Sequence, residues 1–133
     1  MNAVLSRYSD ITYALFRFMA GTLFVFHGSQ KLFGWPGDRS PAELMSLRGL
    51  AGIIEVFGGA MIALGIAAGW AAFIASGTMA VAYFKSHAPD GFFPILNKGE
   101  LAVLYCFAFL YIASRGSGLY SLEHVLRKRS SRT

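Results

Sequence analysis

Five side chains in this sequence combine a charged or titratable group with a strongly apolar neighbourhood: Arg17, His27, Glu55, His87 and Glu100. Glu55 stands in the run Gly52-Ile53-Ile54-Glu55-Val56-Phe57-Gly58-Gly59, and Arg17 in Leu15-Phe16-Arg17-Phe18-Met19. An ionisable group held at membrane depth is costly and usually faces a partner or a cavity. A carboxylate beside an imidazole exchanges protons and hydrogen-bonds to the oxygen atoms of a ligand. Two readings follow, and they are compatible. In the structural one, Glu55 pairs with Arg17 or His27 and fixes the register of two helices. In the functional one, Glu55 and His27 belong to a polar site that binds a ligand or moves protons. A buried ion pair is weak evidence for stability in itself, so the sequence leaves both open.

Other chemistries find no support. Three scattered histidines without a His-x-x-x-His pair are a poor ligand set, and no metal site is expected. The one cysteine, Cys106, lies inside an apolar run and reads as a packing residue. No Cys-x-x-Cys pair, glycine-rich phosphate loop or nucleophile elbow is present.

The elements that position these residues follow from periodicity. Arg17, Gly21, Phe24, Gly28 and Lys31 fall on one stripe of a first helix, and Arg48, Gly52, Glu55 and Gly59 on a matching stripe of a second. His27 lies within about 80° of Arg17, at ~100° per residue. Turn residues separate helices expected over about 11–31, 47–67, 70–85 and 99–114. Ala68, Ala72, Ser76 and Ala80 recur every four residues along the third, a spacing that lets helices approach closely. A short amphipathic helix is expected in the tail beyond Gly118.

Composition supplies the solvent. Hydrophobic residues make up 55% of the chain and charged ones 14%, against roughly 25% charged in a soluble domain. The expected fold is an all-α membrane protein, a four-transmembrane-helix bundle forming a single domain over residues 1–133. The first two helices have the roughly 20 residues that a ~30 Å hydrocarbon core requires; the other two are shorter. Four spans put both termini on one side of a multi-pass protein. The cluster Arg127, Lys128, Arg129 and Arg132 makes that side cytoplasmic. The net charge of +5 thus points to an anionic leaflet, and no nucleic-acid partner is expected. In this topology His27, Lys31, Lys85, His87, Lys98 and Glu100 ring the outer half of the bundle, with Glu55 below them. Each lysine taken alone snorkels to the interface.

The order and spacing of several segments resemble the DoxX family of small bacterial membrane proteins. The resemblance covers residues 15–122. It rests on Arg17 and Gly21, on His27-Gly28-Ser29-Gln30-Lys31-Leu32-Phe33-Gly34, on Gly52-Ile53-Ile54-Glu55-Val56-Phe57-Gly58-Gly59 and on Leu64-Gly65-Ile66. Residues 87–94, Asn97-Lys98-Gly99-Glu100 and Gly116-Ser117-Gly118-Leu119-Tyr120-Ser121-Leu122 complete it. The resemblance implies a four-helix protein of the bacterial inner membrane associated with redox chemistry. Some relatives are described as the membrane subunit of a thiosulfate:quinone oxidoreductase, others as parts of oxidative-stress or thiol-redox assemblies. This chain lacks the cysteine pair that independent thiol chemistry would need.

The leading expectation is an integral membrane subunit of a redox system with quinone as the candidate ligand. His27, Glu55, His87 and Glu100 would supply polar contacts, and Phe24, Phe26 and Phe57 an apolar slot. Arg17 would form a structural ion pair with Glu55. Electrons would come from a protein partner carrying a redox cofactor; a homo-oligomer is the other expected assembly. A non-catalytic membrane anchor or assembly factor is the alternative, and a small-solute transporter a third.

Overall fold

The computed structural model describes residues 2–131, and among them there are helices and turns but no strand. Arg132, the last member of the basic cluster, lies outside the described residues. A short helix, α1 (Asn2–Ser6), precedes the long α2 (Ser9–Phe33). Then come α3 (Leu47–Leu64) and α4 (Ala68–Ala82), the latter running into a π-helical turn, Tyr83–His87, and a 3-10 turn, Ala88–Asp90. The short α5 (Pro94–Asn97) leads to α6 (Glu100–Arg115), and α7 (Leu122–Ser130) closes the described chain.

Most boundaries lie within two residues of the sequence expectation. The second helix stops three residues early, at Leu64, because Gly65 adopts a left-handed conformation (φ 71°) and returns its N–H to the carbonyls of Met61 and Ile62. The third helix ends as a regular helix at Ala82, where the π turn widens the spiral and re-aims Tyr83 and His87. The loop expected over residues 87–94 contains the 3-10 turn and leads into α5.

Glycine sets the distance between α2 and α3. A Cβ on Gly28 would lie 2.7 Å from the Gly52 carbonyl oxygen and from the Val56 nitrogen. One on Gly59 would lie 2.7 Å from the Gly21 carbonyl oxygen. The two backbones therefore touch, antiparallel, with Gly21 opposite Gly59 and Gly28 opposite Gly52. Alanine plays the corresponding part on α4, where Ala68, Ala71, Ala72 and Ala75 are buried and α6 packs against them. Ser76 adds a bond across that seam, its hydroxyl donating to the Cys106 carbonyl at 2.8 Å. The seam between α2 and α6 is built differently, from rings. Phe24 meets Phe109 at 4.6 Å and Tyr105 at 5.7 Å between centroids. The Tyr13 hydroxyl donates to the Gly116 carbonyl at 2.5 Å, and Arg115 pairs with Asp10 at 2.9 Å.

One interior is thus shared by α2, α3, α4 and α6. The outward faces are apolar too: Leu15, Phe18, Met19, Phe57, Phe73, Phe107 and Leu110 are all exposed. When the outside is as apolar as the inside, exclusion of water cannot hold helices together, and close packing with interhelical hydrogen bonds must.

The tail is tied to the α3–α4 turn and to the end of α6 by Glu123. Its carboxylate accepts from the Ser117 hydroxyl at 2.6 Å and from the Ala67 N–H at 3.1 Å, and it pairs with Arg127 at 2.7 Å. The Ser117 hydrogen bond first, and the Ala67 N–H and Arg127 after it, hold the Glu123 carboxyl below the usual carboxylate range.

The close approach of α2 and α3 makes a testable demand. Gly28→Leu should destabilise the detergent-solubilised protein by about 2 kcal/mol or more, because the overpacked backbones must separate. Gly77 on α4 has nothing near its missing Cβ, so Gly77→Ala should leave stability unchanged or raise it by roughly 0.5 kcal/mol. Unfolding in mixed micelles with increasing SDS measures both. Equal tolerance of the two changes would contradict the packing.

Candidate functional site

The register that the glycines impose decides where each charge goes. Along α3 the buried positions are Gly49, Gly52, Glu55, Gly59 and Ile62, so Glu55 sits on the stripe that faces α2. Its exposure is 0%. The Lys31 ammonium, from the last turn of α2, pairs with Glu55 Oε1. Lys31 is 27% exposed in its side chain and so links the buried carboxylate to the surface. Glu55 Oε2 has no hydrogen-bond partner. An unsatisfied buried acceptor costs about 1–3 kcal/mol, more when it carries charge, and the packing offers nothing that offsets it.

Tyr105 of α6 is buried against the same face of α2. It stacks on Phe109 at 5.3 Å and meets the His27 ring edge-on at 5.8 Å. His27 is exposed on the outside of the α2–α6 seam. His27 and Tyr105 are thus in ring contact, while the Glu55 carboxylate is hydrogen-bonded to Lys31 alone. The arrangement leaves Oε2 free to accept a hydrogen bond or a proton, with Oε1 held by Lys31.

Arg17 is not the partner of Glu55, which corrects the sequence expectation. With Gly21 opposite Gly59, Arg17 falls opposite Ala63, eight residues and about 12 Å along α3 from Glu55 at 1.5 Å per residue. Its guanidinium donates to the Ile62 and Ala63 carbonyls and, at 2.8 Å, to the Tyr120 carbonyl. The Ala63 carbonyl is among those that a helix C-terminus leaves unsatisfied, the Ile62 carbonyl also takes the Gly65 N–H, and a cation there complements the helix dipole. Arg17 is a cap for α3 and a clasp on the segment leading into α7.

The remaining expected site residues divide. Phe24 is fully buried, and it fills the interior against Tyr105 and Phe109 rather than lining a slot. Phe57 and Glu100 are exposed, and neither faces Glu55; Phe57 is two residues on, about 200° around the helix. Phe26 is exposed and packs against Trp35. His87 belongs to a second polar cluster. Its Nδ1 lies 3.1 Å from the Asn97 carbonyl, and its ring stacks on Tyr83. Asn97, 6% exposed, organises that cluster: its amide donates to the Gly91 carbonyl at 2.6 Å and to the Tyr83 hydroxyl, and its Oδ1 accepts from the Gly99 N–H at 2.8 Å. Beside it lies an apolar cavity of about 340 Å³ lined by Met79, Tyr83, Phe84, Phe92, Cys106 and Phe107. Among the described residues no group of three His, Cys, Asp or Glu could hold a metal ion.

Three contributors escaped the sequence reading. Lys31 was legible, being on the same stripe as Gly28, yet read as a snorkelling lysine. Asn97 had a signal in its place between turn-rich pieces. Tyr105, one aromatic in a run of apolar residues, had none.

Among the described residues, all-helical in their regular structure, two helices, Ser9–Phe33 and Leu47–Leu64, are long and apolar enough to cross a membrane. The most apolar stretches of those helices are only 33% and 28% buried, unlike the core helices of a soluble protein. The chain belongs to the DoxX family, a membrane-associated family whose model it matches over residues 12–88. That stretch contains Arg17, His27, Lys31 and Glu55 and ends before Asn97 and Tyr105. An uncharacterized protein of Haemophilus influenzae is 38% identical over 133 residues, which is 94% of this chain and 98% of the relative. No solved structure matches the chain.

The pairing is open to a double-mutant cycle. Lys31→Met and Glu55→Gln should couple by more than about 1 kcal/mol in detergent unfolding, while Arg17→Gln and Glu55→Gln should add within ~0.5 kcal/mol. The reverse pattern would restore the ion pair expected from sequence.

Proposed function

We propose that this chain is a single-domain, multi-pass protein of the bacterial inner membrane in which α2, α3, α4 and α6 each span the bilayer. Helix lengths support the reading. At 25 and 18 residues, α2 and α3 reach about 37 and 27 Å; at 15 and 16 residues, α4 and α6 reach about 22 and 24 Å. The π turn and the exposed Phe84, Phe92, Phe93, Ile95 and Leu96 extend the apolar length between α4 and α6 towards the ~30 Å of a hydrocarbon core. Arg127, Lys128 and Arg129 in the last turn of α7 favour cytoplasmic termini.

Within that frame the chain acts as the membrane subunit of a redox system, exchanging protons with a quinone at Glu55. The observation that carries this is the orphan Oε2 of a fully buried carboxylate. Reduction of a quinone to a quinol takes two electrons and two protons. The electrons come from the cofactor of a protein partner, since the chain has no redox motif of its own. The protons pass one at a time through Glu55, each replaced from water by way of Lys31. His27, on the outer surface, donates a hydrogen bond to one ring oxygen, and Glu55 Oε2, once it has taken a proton by way of Lys31, donates to the other.

A specific observation favours a second reading, that of a membrane anchor or assembly factor. The connections at the outer ends expose Phe33, Trp35, Met45, Phe92 and Phe93, an apolar surface suited to a protein partner. In that reading the Lys31–Glu55 pair sets helix register alone.

Quinone titration of the protein in nanodiscs, followed by Trp fluorescence, separates the two. Wild type should bind a short-tailed quinone saturably. Glu55→Gln should weaken binding at least about tenfold, or 1.4 kcal/mol, and His27→Ala several-fold, with the fold intact. Thr78→Ala, on the exposed side of α4, should change nothing. A folded wild type with no saturable binding, with or without its native partner, would leave the anchor.

A further inference from the structure

At the end of the molecule opposite Glu55, a groove of about 660 Å³ runs between α2, the C-terminus of α3 and the start of α7. Its walls are Leu15, Phe18, Leu64, Leu122 and Val125, and Arg17 lines its polar end beside Tyr120 and Ser121. The volume is within the roughly 300–1,000 Å³ usual for small-molecule sites.

Arg17 is what makes the groove more than a crevice. The side chain is 2% exposed, yet no carboxylate pairs with it among the described residues. Three carbonyls take part of its donor capacity, and Nε is left without a partner. A helix C-terminus offers the equivalent of about half a negative charge, so a full guanidinium charge remains partly uncompensated. Farther along α7, Lys128 and Arg129 are exposed and have no acidic partner among the described residues, while Arg127 is held by Glu123.

We propose that this groove binds one anionic phospholipid. The acyl chain lies along Leu15, Phe18, Leu64, Leu122 and Val125, and the phosphate sits at the polar end under the field of Arg17. Continuity selects this occupant. The groove opens along α2, whose neighbouring Leu15, Phe18 and Met19 are exposed and belong to the apolar belt that faces lipid. A free phosphate would gain nothing from the apolar walls, and an acidic peptide would have to strip lipid from that belt. Basic pockets at the cytoplasmic end of membrane helices recognise anionic headgroups in this manner. The site rests on the membrane reading of the chain and is independent of the quinone reading. If the full chain stays soluble and monodisperse without detergent, the membrane reading has failed, and this site with it.

The test is lipid retention by the full-length protein. Purified in mild detergent and examined by native mass spectrometry, it should keep one phosphatidylglycerol per chain under washing that removes phosphatidylcholine. Val125→Trp fills the groove without touching Arg17. It should lower retention at least about tenfold, equivalent to 1.4 kcal/mol, with unchanged unfolding in detergent. Arg17→Lys, if folded, should reduce the preference for phosphatidylglycerol over phosphatidylcholine. Equal retention of the two lipids, retention indifferent to Val125→Trp, or full competition by inorganic phosphate alone would each overturn the proposal. So would an acidic protein partner occupying the site with no lipid bound.

Discussion

Backbone contact between α2 and α3 is the constraint on which the other features depend. Gly21, Gly28 and Gly59 bring the two backbones closer than any side chain at those positions would permit, and Gly52 leaves room for the side chains of Lys31 and Leu32. Contact at that distance admits one register. Once Gly28 is opposite Gly52, the end of α2 delivers Lys31 to Glu55, and the start of α2 delivers Arg17 to the end of α3. A shift of one helical turn would separate both pairs and leave two buried charges without partners.

The two charges are treated differently by that register. Arg17 meets the last carbonyls of α3, of which Ala63 is one that a helix end leaves without a donor, so its desolvation is partly offset. Glu55 meets one ammonium and nothing else. Taking an ion out of water costs several kcal/mol even after relaxation, and an apolar pair of the same volume is often as stable or more so. Stability is therefore a poor reason for Glu55 to stand at that depth with one oxygen free. A group that must take up and release a proton, or accept a hydrogen bond from a visiting ligand, has to remain incompletely satisfied, and that is the state in which the fold holds it.

Much of this was legible before any coordinates. Small residues at helical spacing announced both the glycine contact of α2 with α3 and the alanine face of α4, and Glu55 was on the stripe that faces α2. Register was not legible, because a stripe states which face is buried and not which residue lies opposite; hence the expected Arg17–Glu55 pair gave way to Lys31–Glu55. The exposure of Phe57 was within reach of helical geometry, since it lies on the far side of α3 from Glu55. The separation of His87 from Glu55 was not, because a π turn that redirects a side chain has no signature in Tyr83-Phe84-Lys85-Ser86-His87. Tyr105 was hidden by its setting, one ring among the apolar residues of α6. Membership of the DoxX family agrees with the fold and leaves the reaction to the site itself.

The central claim is that Glu55, with Lys31 on one oxygen and nothing on the other, is a proton-exchanging group within the membrane. Infrared difference spectroscopy of the protein in bilayers, with and without quinone and with carbon-13 in its glutamate carboxyls, addresses it directly. The account predicts an isotope-shifted carboxyl band that changes when quinone is added, and that disappears from the difference spectrum in Glu55→Gln. A glutamate signal that is the same with and without quinone, or one that survives Glu55→Gln, would contradict it.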